Sequence, residues 1–192
     1  RLSVIDKVAR LDEDPEEHTF LPRALVCATL PHSNPGNVFQ WMRTAGDFTL
    51  IVKADERFGM PYASYPRLFS MWLTNEIVRR RQRTIFFEGS YYAFLTALGL
   101  HTDGLTRRRF KEQVQRLLMS SISYEKMTPG SLHHQTVNIA DAVDLWWDPK
   151  KPKDDTLWNT KVVVNEKFFQ HCLRFAIPLD VRIINALKQS PL

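Results

Sequence analysis

The stretch TRRRFKEQVQRLLMSS, Thr106 to Ser121, sorts its residues onto different sides. Written as a helix, Phe110, Val114, Leu117 and Leu118 fall at i, i+4, i+7 and i+8, one apolar stripe facing a core. Arg108, Lys111 and Gln115 fall on the opposite or flanking arc, with Arg107, Arg109 and Arg116 around them. A short helix docked by one side and cationic on the other suits a DNA major groove. Arg and Lys contact guanine edges or phosphates there, and Gln pairs with adenine. The same pattern also describes an ordinary solvated helix face, so the neighbouring sequence decides between the two.

Upstream, Ser64 reads as an N-cap and Pro66 as a first-turn residue. Tyr65, Leu68, Phe69, Trp72, Leu73 and Ile77 form the expected buried face. That helix ends in Arg79-Arg80-Arg81, where positive charge complements the helix dipole as well as it would suit DNA. Thr84 to Phe87 (TIFF) is a short strand. Ser90 caps a second helix with Phe94, Leu95 and Leu98 inward, Tyr91 and Tyr92 as packing residues and Gly99 as the stop. After the basic helix, Ile122, Tyr124 and Lys126 alternate up to a Pro129-Gly130 turn. Val137 and Ile139, then Val143, Leu145 and Trp147, alternate again, which predicts a β-hairpin with an irregularity near Ala140 to Ala142. The order helix, strand, helix, helix, hairpin is an α+β, winged-helix arrangement. The expected DNA contacts are therefore Thr106, Arg107, Arg108, Arg109, Lys111 and Gln115 on the third helix, with Lys126, His133 and His134 on the hairpin. Arg116 points to the side and is expected to pack or pair with Glu125.

Residues 3–11 carry a brief helical pattern followed by the acidic cluster Asp12 to Glu17, and 31–37 is a loop by composition. Phe48 to Ala54 (FTLIVKA) reads as a strand, so 1–47 is expected to be an N-terminal arm and 48–192 the winged-helix domain. Lys150, Lys151 and Lys153 lie in a proline-broken cationic loop. Val162 to Val164 is a further strand, Asn165 caps a helix through Leu173, and Pro178-Leu179-Asp180 starts another containing Ile184 and Leu187. The chain opens on Arg1 and stops without an evident final element, so both ends read as cut.

Composition bounds the function classes. The chain has 192 residues, 44% of them hydrophobic and 24% charged, with a formal charge of +5. That balance permits a polyanionic partner without demanding one. No apolar run approaches the roughly 20 residues that a membrane span needs. Cys27 and Cys172 sit in apolar segments at no metal spacing, as expected of reduced thiols in a cytoplasmic protein. A metal-dependent nicking enzyme needs two histidines one residue apart on a strand, but His133 and His134 are adjacent and would face opposite ways. There is no P-loop and no triad pattern. We expect no enzyme, no metal and no cofactor.

Three segments then carry a family likeness. GMPYASYPRLFSMWLTNEIVRRRQRTIFFEGSYYAFLTALGL (59–100), TRRRFKEQVQRLLMSSIS, and VVVNEKFFQHCLRFAIPLDVRIINALKQSPL resemble the RepA-type plasmid replication initiators, over roughly residues 48 to 192. Pro61-Tyr62, Pro66-Arg67-Leu68, Leu98-Gly99-Leu100 and Pro178-Leu179-Asp180 are the most distinctive points. Ala63 departs from the glycine that often follows Pro-Tyr in the family. A Gly-Gly-Arg insertion often found before the basic helix is missing, leaving Asp103-Gly104-Leu105. The resemblance implies a non-enzymatic protein that binds repeated double-stranded sites at a plasmid origin and opens the duplex locally. It also implies recruitment of host replication proteins, among them the replicative helicase and the host initiator. Related initiators carry two winged-helix domains and dimerise through the first. Residues 165–192 would on that basis begin a truncated second one. The resemblance further implies that the initiator silences its own promoter as a dimer. Two other readings stay open: a winged-helix transcriptional repressor, and an interaction domain presenting aromatic residues such as Trp146 and Trp158 instead of touching DNA.

Overall fold

Gly46 carries φ 58° at the first central position of a two-residue turn. The runs on either side, β1 (Gln40–Ala45) and β2 (Phe48–Lys53), pair antiparallel from Gln40 opposite Lys53 to Ala45 opposite Phe48. The expected boundary between 47 and 48 therefore cuts through a hairpin. β1 is a sheet strand, and not part of an arm, because its backbone pairs with β2 along its whole length.

The computed structural model describes residues 30–87, 89–145 and 160–175. The expectations for residues 3–11, Cys27, Trp146, Trp147, Lys150, Lys151, Lys153, Trp158, Pro178-Leu179-Asp180, Ile184 and Leu187 lie outside the described residues. After β2 come α1 (Ser64–Arg80), β3 (Thr84–Phe86), α2 (Tyr91–Ala97) and α3 (Gly104–Leu118). β4 (Ser121–Thr128), β5 (Ser131–Asn138), β6 (Ala140–Asp144), β7 (Lys161–Val164) and α4 (Glu166–Phe175) follow. The fold is α+β, built on two antiparallel sheets, and the predicted order of helix, strand, helix, helix and hairpin is present. No described helix is long and apolar enough to cross a membrane.

The hairpin differs from a lone wing. β4 pairs along β2 as well as β5, so the first sheet runs β1-β2-β4-β5. The alternating run through 147 that we expected as one returning strand divides at Ile139. β6 leaves for a second sheet, ordered β3-β7-β6, with the register shift between Ala140 and Ala142. Asn165 fixes this division: its N–H donates to Ile139 O (3.0 Å) and its Nδ2 to Asp141 Oδ1 (2.7 Å). Arg83 joins the same corner, donating to Asp141 Oδ2 at 2.6 Å and to Val164 O at 3.0 Å. Asn165 Oδ1 also accepts Lys167 N–H at 3.0 Å, the cap that its identity predicts.

α1 lies against α3 and α4 and supplies the centre of one continuous core. Phe69, Leu73 and Ile77 are fully buried among Val52, Ile122, Phe110, Leu117, Ile85, Val162 and Phe168. Trp72 is half-buried at the margin of that core, its ring 4.8 Å from Phe87 and 4.8 Å from Phe94. Ser64 does not cap α1. The cap position is Ala63, at φ 64° and ψ −155°, and no side chain bonds the helix start. Tyr62 N–H is held by Gln113 and Ala63 N–H by Pro31 O, so the chain must turn into the helix at Ala63. At the other end Arg81, φ 52°, closes the helix by donating its N–H to Ile77 O, while Arg79 and Arg80 both bond Glu76 at 2.6 Å. The arginine run here is helix termination, with two of its charges already paired.

Candidate nucleic-acid interface

α3 begins one turn earlier than its apolar stripe suggests. Asp103 is the N-cap: Oδ1 accepts the N–H groups of Leu105 and Thr106, each at 2.9 Å. The Thr106 hydroxyl donates to Oδ2 at 2.6 Å. That side-chain bond, followed by the backbone bonds, holds the Asp103 carboxyl below its ordinary range. Thr106, expected at the DNA surface, has its hydroxyl engaged in the cap instead. A short polar side chain three residues into a helix is well placed to bond the cap residue.

The buried side follows the periodicity. Phe110, Val114, Leu117 and Leu118 are in the core, and Phe110 stands edge-on to Tyr65, Phe69 and Phe94, with centroids 5.8 to 6.5 Å away. α2 braces the first turns: the Tyr91 hydroxyl donates to Arg107 O at 3.1 Å, and Lys111 Nζ lies 4.6 Å from the Tyr91 ring centre. Burial pushes the Tyr91 phenol far up, so it remains a neutral donor. Tyr91 is thus the packing residue expected of it, while Tyr92 is 56% exposed.

Arg108 and Arg109 are exposed, and among the described residues neither side chain takes a hydrogen bond or ion pair. Arg107, Lys111 and Gln115 are half-buried along the flanks of the same helix. Arg116 is anchored differently from our expectation. It pairs with Glu112, donates to Met60 O at 3.2 Å, and stacks its guanidinium 5.4 Å from the Tyr62 ring centre. Glu125, the expected partner, lies instead against His134 Nδ1 at 3.0 Å.

The hairpin residues do not converge on one surface. Lys126 and His133 are cross-strand partners on the sheet face that carries Tyr124, whose ring lies 5.8 Å from His133. His134 is on the other face with Glu125 and, at 3.2 Å, Thr136. The alternation of a strand separates adjacent histidines, as their sequence predicted.

Sequence reasoning missed Gln113. It is buried, and its Oε1 accepts Tyr62 N–H at 2.8 Å, fastening α3 to the segment that enters α1. The i+3 spacing from Phe110 was a signal that it faces inward. With Arg116, it locks α3 onto residues 60–62, so the outward arginines stand on a rigid support.

The family described as plasmid encoded RepA protein matches residues 60–192, more than half of the chain. The chain belongs to this family. It is a family of plasmid replication initiators, and the distinctive RepA positions Pro61-Tyr62 and Pro66-Arg67-Leu68 bracket the strained entry to α1. No curated protein matches the chain. Two solved structures share its fold. One is a selenomethionine derivative of domains 2 and 3 of RctB, with a TM-score of 0.59 at 11% identity, covering 85% of this chain and 64% of that one. The other is RctB domains 2–3, with a TM-score of 0.59 at 10% identity, covering 82% and 61%. This chain thus spans less than two thirds of each RctB structure.

Proposed function

We propose that this RepA-family chain initiates plasmid replication by binding repeated double-stranded sites at the origin through α3, in the manner of a winged helix, without catalysing a reaction. One observation carries the reading: Arg108 and Arg109, unpaired among the described residues, project from a helix whose opposite side is locked in the core. Arg107 and Lys111 extend the cationic strip, and Gln115 follows one turn later as a base-reading candidate. Lys126 or His133 would add phosphate contacts from the sheet. Within the same reading the chain works in the cytoplasm, recruits the host replicative helicase and host initiator, and silences its own promoter as a homodimer.

The test is binding to an origin fragment as salt is varied. If about four to six phosphates are neutralised, log K falls with log salt at a slope near −4 to −5. Arg108→Ala should cost ~1–3 kcal/mol of specific binding and relax preference at one base, whereas an equal loss on all sequences marks it as a phosphate contact. A flat salt response overturns the reading and favours an interaction domain. Binding to an inverted repeat over a promoter, with none at direct repeats, favours a repressor.

A further inference from the structure

Leu105, Arg108, Arg109 and Glu112 are exposed along one line of α3, at i, i+3, i+4 and i+7. The last of them carries the wrong charge for a surface that meets phosphates. The Glu112 side chain is 47% exposed, and among the described residues only Arg116 bonds it, at Oε1. Arg116 is itself fixed by Met60 O, 3.2 Å from Nη1, and by the Tyr62 ring, whose centre is 5.4 Å from its guanidinium carbon. Its side chain is only 18% exposed. Arg108 stands four residues before Glu112, a spacing at which a helix pair forms readily, yet Glu112 is engaged by Arg116 instead. The carboxylate is thus held by an anchored partner and leaves the Arg108 charge without a partner among the described residues.

A carboxylate accepts and never donates, and one bond to Oε1 leaves Oε2 with its acceptor positions. Any base edge that meets it in the major groove must therefore donate. Guanine presents two acceptors there, N7 and O6, and thymine presents O4. Adenine sets its N6 amine beside the acceptor N7, whereas cytosine presents its N4 amine with no acceptor next to it. The carboxylate favours that one base and is opposed by acceptors on the other three. Resting on the α3 reading above, we propose that Glu112 determines specificity by accepting the N4 amine of a cytosine in the origin repeat.

The experiment uses the whole chain and an origin fragment in which each base pair of one repeat is replaced in turn. Wild-type affinity should fall about tenfold when one particular C·G pair is changed. Glu112→Ala should bind every base at that position alike. Glu112→Gln, whose amide matches adenine N6 and N7, should move the preference there from cytosine to adenine. Binding that tightens equally on all sequences in Glu112→Ala, with the wild-type base preferences kept, overturns the proposal, because the carboxylate then does no more than repel phosphates. Arg108→Ala separates this failure from failure of the α3 reading. If it weakens binding while both Glu112 variants keep the wild-type preferences, the α3 reading stands and the cytosine contact alone is lost. If neither Arg108→Ala nor the Glu112 variants alter binding, both are overturned.

Discussion

Ala63 holds φ 64° and ψ −155°, a region that an L side chain enters only under strain. The strain is imposed by its neighbours: Tyr62 N–H is tied to Gln113 and Ala63 N–H to Pro31 O, so neither peptide can rotate to relieve it. Such a conformation costs ~1–3 kcal/mol. Glycine removes that cost and returns ~0.5–1 kcal/mol of it as backbone entropy. Ala63→Gly should therefore stabilise the protein by about 1 kcal/mol, seen as a higher urea midpoint at unchanged m. A lower midpoint would mean that the Cβ contributes packing that outweighs the strain. That Ala63 stands where the RepA resemblance leads one to expect glycine was visible in the sequence. The strain there was not, because a backbone angle set by residues 31 and 113 leaves no mark at position 63.

At the scale of the element, α3 owes its start to Asp103, and that start depends on pH. The cap depresses the carboxyl's pKa in the folded state. Its stabilisation is therefore complete above the unfolded value and is lost as pH falls through the folded one. Melting temperature should drop through the acid limb in the wild type. In Asp103→Asn, which caps without ionising, that part of the drop should be absent. An identical acid limb in both would remove Asp103 from the cap. The apolar stripe of α3 was legible because a helix face repeats along the chain. The roles of Thr106, Gln113 and Arg116 were not, since each is decided by a partner. Thr106 bonds the cap, Gln113 a backbone 51 residues away, and Arg116 a carbonyl 56 residues away. The hairpin gives the same lesson. Alternation located β4 and β5 and split His133 from His134, but could not say that β2 would pair with β4.

Across the whole molecule, α4 closes the core against α1, with Cys172 Sγ 3.9 Å from Thr74 Oγ1. Burial pushes the thiol up to about 12, against a smaller opposing effect of the Thr74 bond. In a Cys27→Ser background, alkylation at neutral pH should be negligible in the native state and should rise in step with global unfolding in urea. Rapid labelling under native conditions would show that α4 opens independently of the core. The sequence by itself determined the helices, the strands from residue 48 onward, the cationic side of α3 and the RepA resemblance, because periodicity and local residue preference are properties of consecutive residues. Only the tertiary structure decided that the strands divide between two sheets, that Ala63 is strained, and which arginines are anchored and which, among the described residues, have no partner. Those outcomes depend on hydrogen bonds and charges contributed by segments far apart in the chain, which meet only when the core forms.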